Sequence, residues 1–461
     1  MKARALSQIA ELVHGTLEGP DVMVDAVTTD SRTASEGALF VAIRGETHDG
    51  HAFVGAALTG GAAAALVDAD PGPIGAGASL VRVADTGRAL LDLAAARRGE
   101  LDARVVGVTG ANGKTSTKDF VTAVLATRLR IHASPRSFNT EVGVPLTVLD
   151  APDDTQALVL ELGARRRGDV RLLCEIARPD VVIVTNVGVA HMEIFGSWEA
   201  IVEASAEPIE ALGEAATAIL AADDRVVRGF ERRTRARVLT FGRAPGADVR
   251  AVDVELDRLG RASFTVEAGS DRGRTRLAVP GEHMVQNALA AIAAGRALGI
   301  PLADALVALE HAHVSAWRME TFETRDGVVV VNDAYNANPE SMAAGLKAAR
   351  WIAREKRLIA VLGHMAELGP ISLEEHERLG DLATRLRVDV LIAVGDGARP
   401  IAIAAVREGL EPGDVHVVGS PEEAATLLSG ILQPGDVVFL KGSRVAGLER
   451  LATALREGVP A

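Results

Sequence analysis

The chain has 461 residues, 48% hydrophobic and 24% charged, with 49 Lys and Arg against 62 Asp and Glu. This is enough length for about three domains and enough apolar content for buried cores, which excludes a disordered tail protein. The net charge of −13 argues against nucleic-acid or anionic-membrane binding, which needs clustered cations, but leaves room for a locally basic pocket.

The single cysteine, Cys174, excludes an internal disulfide and a cysteine-only zinc site, and it fits a reducing cytoplasm. The N-terminus shows no signal-peptide apolar run. The uncharged stretch 52–67 is interrupted by Thr59, Gly60 and Gly61, so no membrane insertion is expected.

Residues 1–100 read as a small α/β unit: a helix over 7–14, a strand over 38–43, an Ala-rich helix over 52–61 and a strand over 63–67. From 101 to 315 the texture changes. A β-branched strand over 105–108 leads through a Gly-rich turn into a helix over 114–125. Apolar strands follow over 157–160, 181–184 and 218–220, with a β-rich patch over 249–266. A helix over 283–298 stops at Gly299-Ile300-Pro301. From 316 to 461 a second α/β alternation is expected, with strands over 328–331, 358–362, 388–394, 415–418 and 437–440. The alternation reads as βαβ units, with a parallel sheet in the central region, and hence as an α/β fold of three domains in series.

The turn Gly107-Val108-Thr109-Gly110-Ala111-Asn112-Gly113-Lys114-Thr115 lies between a strand and a helix. Backbone N–H groups at such a turn and at a helix N-terminus cradle phosphate oxygens. Lys114 can reach the outer phosphates, and the Thr115 hydroxyl can ligate Mg²⁺. Val108 stands where a strict P-loop has its first glycine, so this is a shortened variant that includes Gly110, Asn112, Gly113 and Ser116. Polar residues at strand ends are the next candidates. Glu161 follows the 157–160 strand, and His191 lies beyond the 181–184 strand. Taken singly, Glu161 also reads as a surface charge and His191 as a polar residue beside a core. Together they can hold a metal beside the phosphates.

These segments resemble the Mur ligases, ATP-dependent amide-forming enzymes of peptidoglycan precursor synthesis. The first region matches through Thr29-Asp30-Ser31-Arg32, Gly37-Ala38-Leu39-Phe40-Val41-Ala42 and Asp49-Gly50-His51-Ala52-Phe53. The central region matches through the phosphate loop, Asn139-Thr140-Glu141-Val142-Gly143, Glu161-Leu162-Gly163-Ala164, Ala190-His191-Met192-Glu193 and Pro280-Gly281-Glu282-His283 with Asn287. The last region matches through Asn332-Asp333-Ala334-Tyr335-Asn336-Ala337-Asn338-Pro339, Leu362-Gly363-His364-Met365-Ala366-Glu367-Leu368-Gly369 and Lys441-Gly442-Ser443-Arg444. These last motifs resemble the branch that adds D-alanyl-D-alanine. The Asp-Asn-Pro-Arg stretch of the branch that adds the third amino acid is absent.

The resemblance implies a UDP-substrate-binding N-terminal domain, a central P-loop ATPase-like domain and a Rossmann-like C-terminal domain. The implied substrates are UDP-MurNAc-tripeptide, D-Ala-D-Ala and ATP with Mg²⁺, in a cytoplasmic monomer. It implies Lys114, Glu161 and His191 as catalytic residues and Thr115, Glu141, Glu161 and His191 as metal ligands. Asn287, Arg318 and Asp333 would contact nucleotide, with Asn287 at the adenine end. Ser31, Arg32, Asn139, Thr140, Tyr335, Asn336, Asn338, Lys441 and Arg444 would contact substrate. Tyr335 also reads as hinge packing, Arg318 as a linker charge, and Lys441 with Arg444 as a solvated basic turn. Two alternatives are a relative adding another amino acid and a binding protein without ligase activity.

Four positions depart from the family pattern. Ser205 stands where a carbamylated lysine is usual, in Ala204-Ser205-Ala206-Glu207. Ala221 and Met284 replace asparagines, and His364 replaces an aspartate. A serine cannot carry a carbamate, so a second cation would be held through His191, substrate oxygens and water, with Glu207 as a candidate carboxylate. Glu203, Glu207 and Glu210 have the spacing of an exposed helix face. Arg165-Arg166-Arg167 reads as a solvated loop, and Cys174 as a buried, inert thiol.

Overall fold

A computed structural model describes residues 1–45, 48–75 and 77–458; the last three positions of the expected 316–461 region lie outside them. The N-terminal region forms a five-stranded sheet in the order Thr16–Glu18, Leu80–Arg82, Ala64–Val67, Ala38–Val41, Ala26–Thr28. All neighbours are parallel except the Thr16–Glu18 edge. The expected helix over 52–61 is a 3₁₀ turn, Gly50–Phe53, running into an α-helix, Val54–Thr59. Asp49 starts the turn by accepting from the His51 N–H at 3.0 Å.

Nine strands make the central sheet. Its parallel part runs Ile131–Ala133, Ala157–Glu161, Arg104–Thr109, Val181–Val184, Thr217–Ala221, Arg237–Gly242. The middle strands are buried end to end, as near-continuous Val, Ile and Leu runs must be when helices cover both faces. The expected β-rich patch is larger than its sequence suggested. Val249–Leu256, Arg261–Ala268 and Asp271–Pro280 form an antiparallel meander that extends the sheet. The last of these strands was hidden by its polarity: Arg272, Arg274 and Arg276 alternate toward solvent along it. The helices Lys114–Leu125 and Met284–Ala297 pack together on this sheet.

The last sheet has the order Glu320–Glu323, Val329–Asn332, Val437–Lys441, Leu358–Gly363, Val390–Val394, Val415–Val418. Only Glu320–Glu323 is antiparallel. That strand escaped the sequence reading because its residues alternate half-buried with exposed. In both large sheets the chain reverses its winding beside a central strand, Arg104–Thr109 in one and Val437–Lys441 in the other. Ligands of open α/β sheets bind outside the carboxyl ends of strands at such switch points. The two switch points face one cleft of about 1170 Å³.

Candidate active site

The phosphate loop leaves Arg104–Thr109 and enters its helix through Gly113, whose φ of +79° is the left-handed conformation that favours glycine. A Cβ at Gly110 would come within 2.1 Å of Thr185 Oγ1, and one at Gly113 within 2.5 Å of Asn287 Oδ1. Side chains are thus excluded where the backbone must turn its N–H groups outward. Neighbouring strand ends tie the loop down. Asn112 N donates to Asn186 Oδ1 at 2.8 Å, and Thr185 Oγ1 donates to Asn112 O at 2.7 Å. Asn287 therefore lies against the phosphate loop, buried.

Lys114 Nζ folds back to donate to Gly110 O at 2.7 Å and Ala111 O at 3.3 Å. Burial pushes its ammonium below the usual lysine range, while the Glu161 carboxylate opposes the shift. Thr115 Oγ1 donates to Glu161 Oε2 at 2.9 Å, and Asn139 Nδ2 donates to Glu161 Oε1 at 2.8 Å. Glu161 is buried, with its own N–H on Ser134 Oγ at 3.2 Å. Two hard oxygens side by side at a phosphate loop suit Mg²⁺, which takes one or two protein oxygens and keeps water and phosphate for the rest. The described residues contain no cluster of three His, Cys, Asp or Glu side chains that would form an all-protein cage. Thr140 and Glu141 line the same cleft at its exposed edge.

The opposite wall comes from the last sheet. Lys441 ends its central strand and is 2% exposed. Its Nζ donates to Asp333 Oδ2 at 2.5 Å and to Asn336 O at 3.0 Å. Burial lowers the Lys441 ammonium, and Asp333 partly restores it. Lys441 is thus no solvated turn: it is a buried partner that holds Asp333, while exposed Arg444 sits with its guanidinium 4.5 Å from the Trp317 ring centre. Arg318 is no free linker charge either. Its Nη2 donates to Thr115 Oγ1 at 3.1 Å, and its guanidinium lies 4.2 Å from the Tyr335 ring centre. Trp317 stacks on the same tyrosine, ring centroids 6.4 Å apart.

Three further contacts join the walls. Asn338 Nδ2 donates to Asn112 Oδ1 at 2.7 Å, Tyr335 hydrogen-bonds Ser137, and His191 Nδ1 hydrogen-bonds Glu367. Burial pushes the Tyr335 phenol up and the His191 imidazole down, the latter opposed by Glu367. Ser137, Asn186 and Glu367 carried no site role in the sequence reading. Glu367 lay inside the 362–369 motif without a role of its own, whereas Ser137 and Asn186 were signalled only by position near motif residues.

The structure separates other expected residues from this cleft. Ser31 and Arg32 form a 3₁₀ turn of the N-terminal sheet, where Arg32 pairs with Asp30 at 2.6 Å; neither lines the cleft. Ser205 Oγ donates to its own helix at Ile201 O, 2.7 Å away. Glu207 is not the exposed residue its spacing suggested, nor is it placed to hold a cation. It is 3% exposed and accepts from Gly168 N at 2.7 Å, at the start of the helix Asp169–Ala177. Glu203 and Glu210 are held by Arg233. Ala221 and Met284 line the cleft near the loop. Cys174 is buried, its thiol pushed up to about 12 by desolvation, so it is inert.

A phosphate loop on one largely parallel sheet, facing a second Rossmann-like sheet across a shared cleft, defines a multidomain P-loop nucleotide-binding protein. Residues 23–98 match the Mur ligase family, catalytic domain, residues 108–295 the Mur ligase middle domain, and residues 317–444 the Mur ligase, glutamate ligase domain. The chain is 40% identical to the UDP-N-acetylmuramoyl-tripeptide--D-alanyl-D-alanine ligase of Mycobacterium tuberculosis, over 98% of this chain and 97% of that protein. A crystal structure of MurF from Acinetobacter baumannii superposes with a TM-score of 0.87 at 31% identity, covering 99% of each chain. The MurF ligase of Thermotoga maritima, solved in complex with ADP, gives 0.79 at 29% identity over 94% of this chain and 97% of that one. The chain belongs to the Mur ligase family.

Proposed function

We propose that this protein is an ATP-dependent, ADP-forming ligase that joins D-alanyl-D-alanine to UDP-MurNAc-tripeptide in the cytoplasm. Full-length similarity to D-alanyl-D-alanine-adding ligases supports the substrates. The observation that carries the chemistry is one cleft with Lys114, Thr115 and Glu161 on one wall and Asp333, Tyr335 and Lys441 on the other. We assign residues 1–100 to the UDP substrate, 101–315 to ATP and 316–461 to the incoming amine.

A carboxylate is a poor electrophile, so it is first activated. A terminal carboxylate oxygen attacks the γ-phosphorus and ADP departs, leaving an acyl phosphate. The amine of D-Ala-D-Ala attacks the acyl carbon, an amide forms, the amine's proton is released and inorganic phosphate leaves. Both partners in the first step are anions, so its transition state gathers negative charge. Lys114 swings from its own loop carbonyls to the transferring phosphoryl group, and the loop N–H groups supply fixed donors. Phosphate oxygens beside Lys114 favour its charged form and oppose the downward push of burial. Arg318 steadies Thr115 and adds positive charge. Mg²⁺ held by Thr115 and Glu161, with Glu141 near, would neutralise phosphate charge as a Lewis acid.

Asn139 orients Glu161, and Asn287 backs the loop at Gly113. Asp333, fixed by Lys441, forms the nucleotide wall with Asn336 and Asn338. Tyr335 and Arg444 line the side from which the amine enters. Contact of the two walls excludes water, which would hydrolyse the acyl phosphate. Phosphate release that requires ATP, UDP-MurNAc-tripeptide and D-Ala-D-Ala together tests this reading. Equal release with another amino acid, or none with any, would refute it.

A further inference from the structure

His191 and Glu367 are 176 residues apart, yet they share a hydrogen bond across the cleft through His191 Nδ1. Both residues hold φ near +60°, at 61° and 60°, a conformation that side chains rarely adopt. The loop that carries Glu367 is docked on the loop that carries His191. Glu193 N donates to Glu367 O at 3.1 Å, and a Cβ on Gly369 would come within 3.1 Å of Glu193 Cα. Arg165 approaches the second Glu367 oxygen at 3.8 Å. His191 Nε2 has no hydrogen-bond partner among the described residues, and His191 lines the cleft with Lys114.

We propose that Glu367 is a positioning residue: from the third sheet it accepts the His191 Nδ1–H, fixing the tautomer that leaves the Nε2 lone pair facing the cleft for a divalent cation. A ligating imidazole commonly gives its other N–H to a carboxylate in this way, which sets ring orientation and basicity. The arrangement suits this chain in particular. Ser205 is bonded within its own helix and Glu207 serves a neighbouring helix start, and neither lines the cleft with His191. Because Glu367 comes from the other wall, His191 acquires its cation-binding form only when the walls meet. This inference rests on the ligase reading for its purpose, but its tests do not depend on turnover.

Two readouts on the full chain test it. Histidine ¹⁵N spectra, with His191→Gln for assignment, should show Nδ1 protonated and Nε2 bare in the wild type. Glu367→Gln should keep that tautomer, since its amide oxygen still accepts, whereas Glu367→Leu should shift toward Nε2–H. Mn²⁺ titration by electron paramagnetic resonance, with a non-hydrolysable ATP analogue, should find two Mn²⁺ per chain. The weaker one should lose roughly 10–100-fold in affinity in Glu367→Leu and little in Glu367→Gln. A wild-type tautomer in Glu367→Leu would overturn the proposal. So would a Glu367→Gln as impaired as Glu367→Leu, or a wild type whose every Mn²⁺ is indifferent to His191→Gln. If the phosphate-release assay fails while both readouts behave as expected, the ligase reading falls and the positioning role stands.

Discussion

Asp333→Asn should destabilise the third sheet region by several kcal/mol through the lysine it leaves behind. The Lys441–Asp333 pair is 2.5 Å long and Lys441 is 2% exposed. At an effective dielectric of 20, that separation corresponds to a gross attraction of about 7 kcal/mol. Desolvation of the two ions costs several kcal/mol each, so the intact pair contributes little net stability. Removing only the carboxylate is different, because the ammonium stays buried with only neutral carbonyls such as Asn336 O as partners. Breaking one side of such a pair costs about 3–5 kcal/mol. For a domain of this size, that lowers the melting temperature by roughly 6–20 °C, at 2–4 °C per kcal/mol.

The pH dependence has a definite sign. Lys441 binds its proton less tightly folded than unfolded, so stability rises with pH between the folded value and the ordinary lysine value. Losing Asp333 lowers the folded value further and widens that window downward. The deficit of Asp333→Asn should therefore shrink as pH rises. Calorimetric melting from neutral to alkaline pH, with Asp333→Leu/Lys441→Met alongside, reads all of this. The double variant should recover most of the loss. An Asp333→Asn protein that melts with the wild type, or a double variant worse than either single one, would refute the reasoning.

Lys114→Ala should fold normally and lose more than roughly 10²-fold in turnover, the scale for removing one donor to a charged transition state; near-normal phosphate release would undo the loop assignment. Activity should not fall when CO₂ is stripped from the buffer, since Ser205 carries no carbamate; a loss restored by bicarbonate would mean that another lysine supplies one. Solution scattering should give a smaller radius of gyration with an ATP analogue and UDP substrate than without, because substrates bound in the cleft favour the arrangement in which contacts such as Asn338–Asn112 and Tyr335–Ser137 join the walls; an unchanged radius would count against closure.

The features legible in the chain were local ones. The strand Arg104–Thr109 is a buried β-branched run, the Gly-Lys-Thr turn follows it directly, and the next helix starts on a glycine that must take positive φ. Such elements are set by side-chain pattern and backbone sterics over a few residues. Glu161 was likewise legible as the residue that ends the apolar run 157–160, so this wall of the cleft could be placed before any fold was known.

Contacts between distant residues escaped that reading. Helical spacing put Glu207 on a face shared with Glu203 and Glu210, but no period reveals that a helix start 39 residues earlier needs its carboxylate. Lys441 looked like a solvated base until its strand was inserted at the switch point beside Asp333, 108 residues away. His191 found Glu367 only because two loops from different sheets dock. Burial and partner choice are properties of packing between elements, and packing decides which charges lose water, which are paired and which face the cleft.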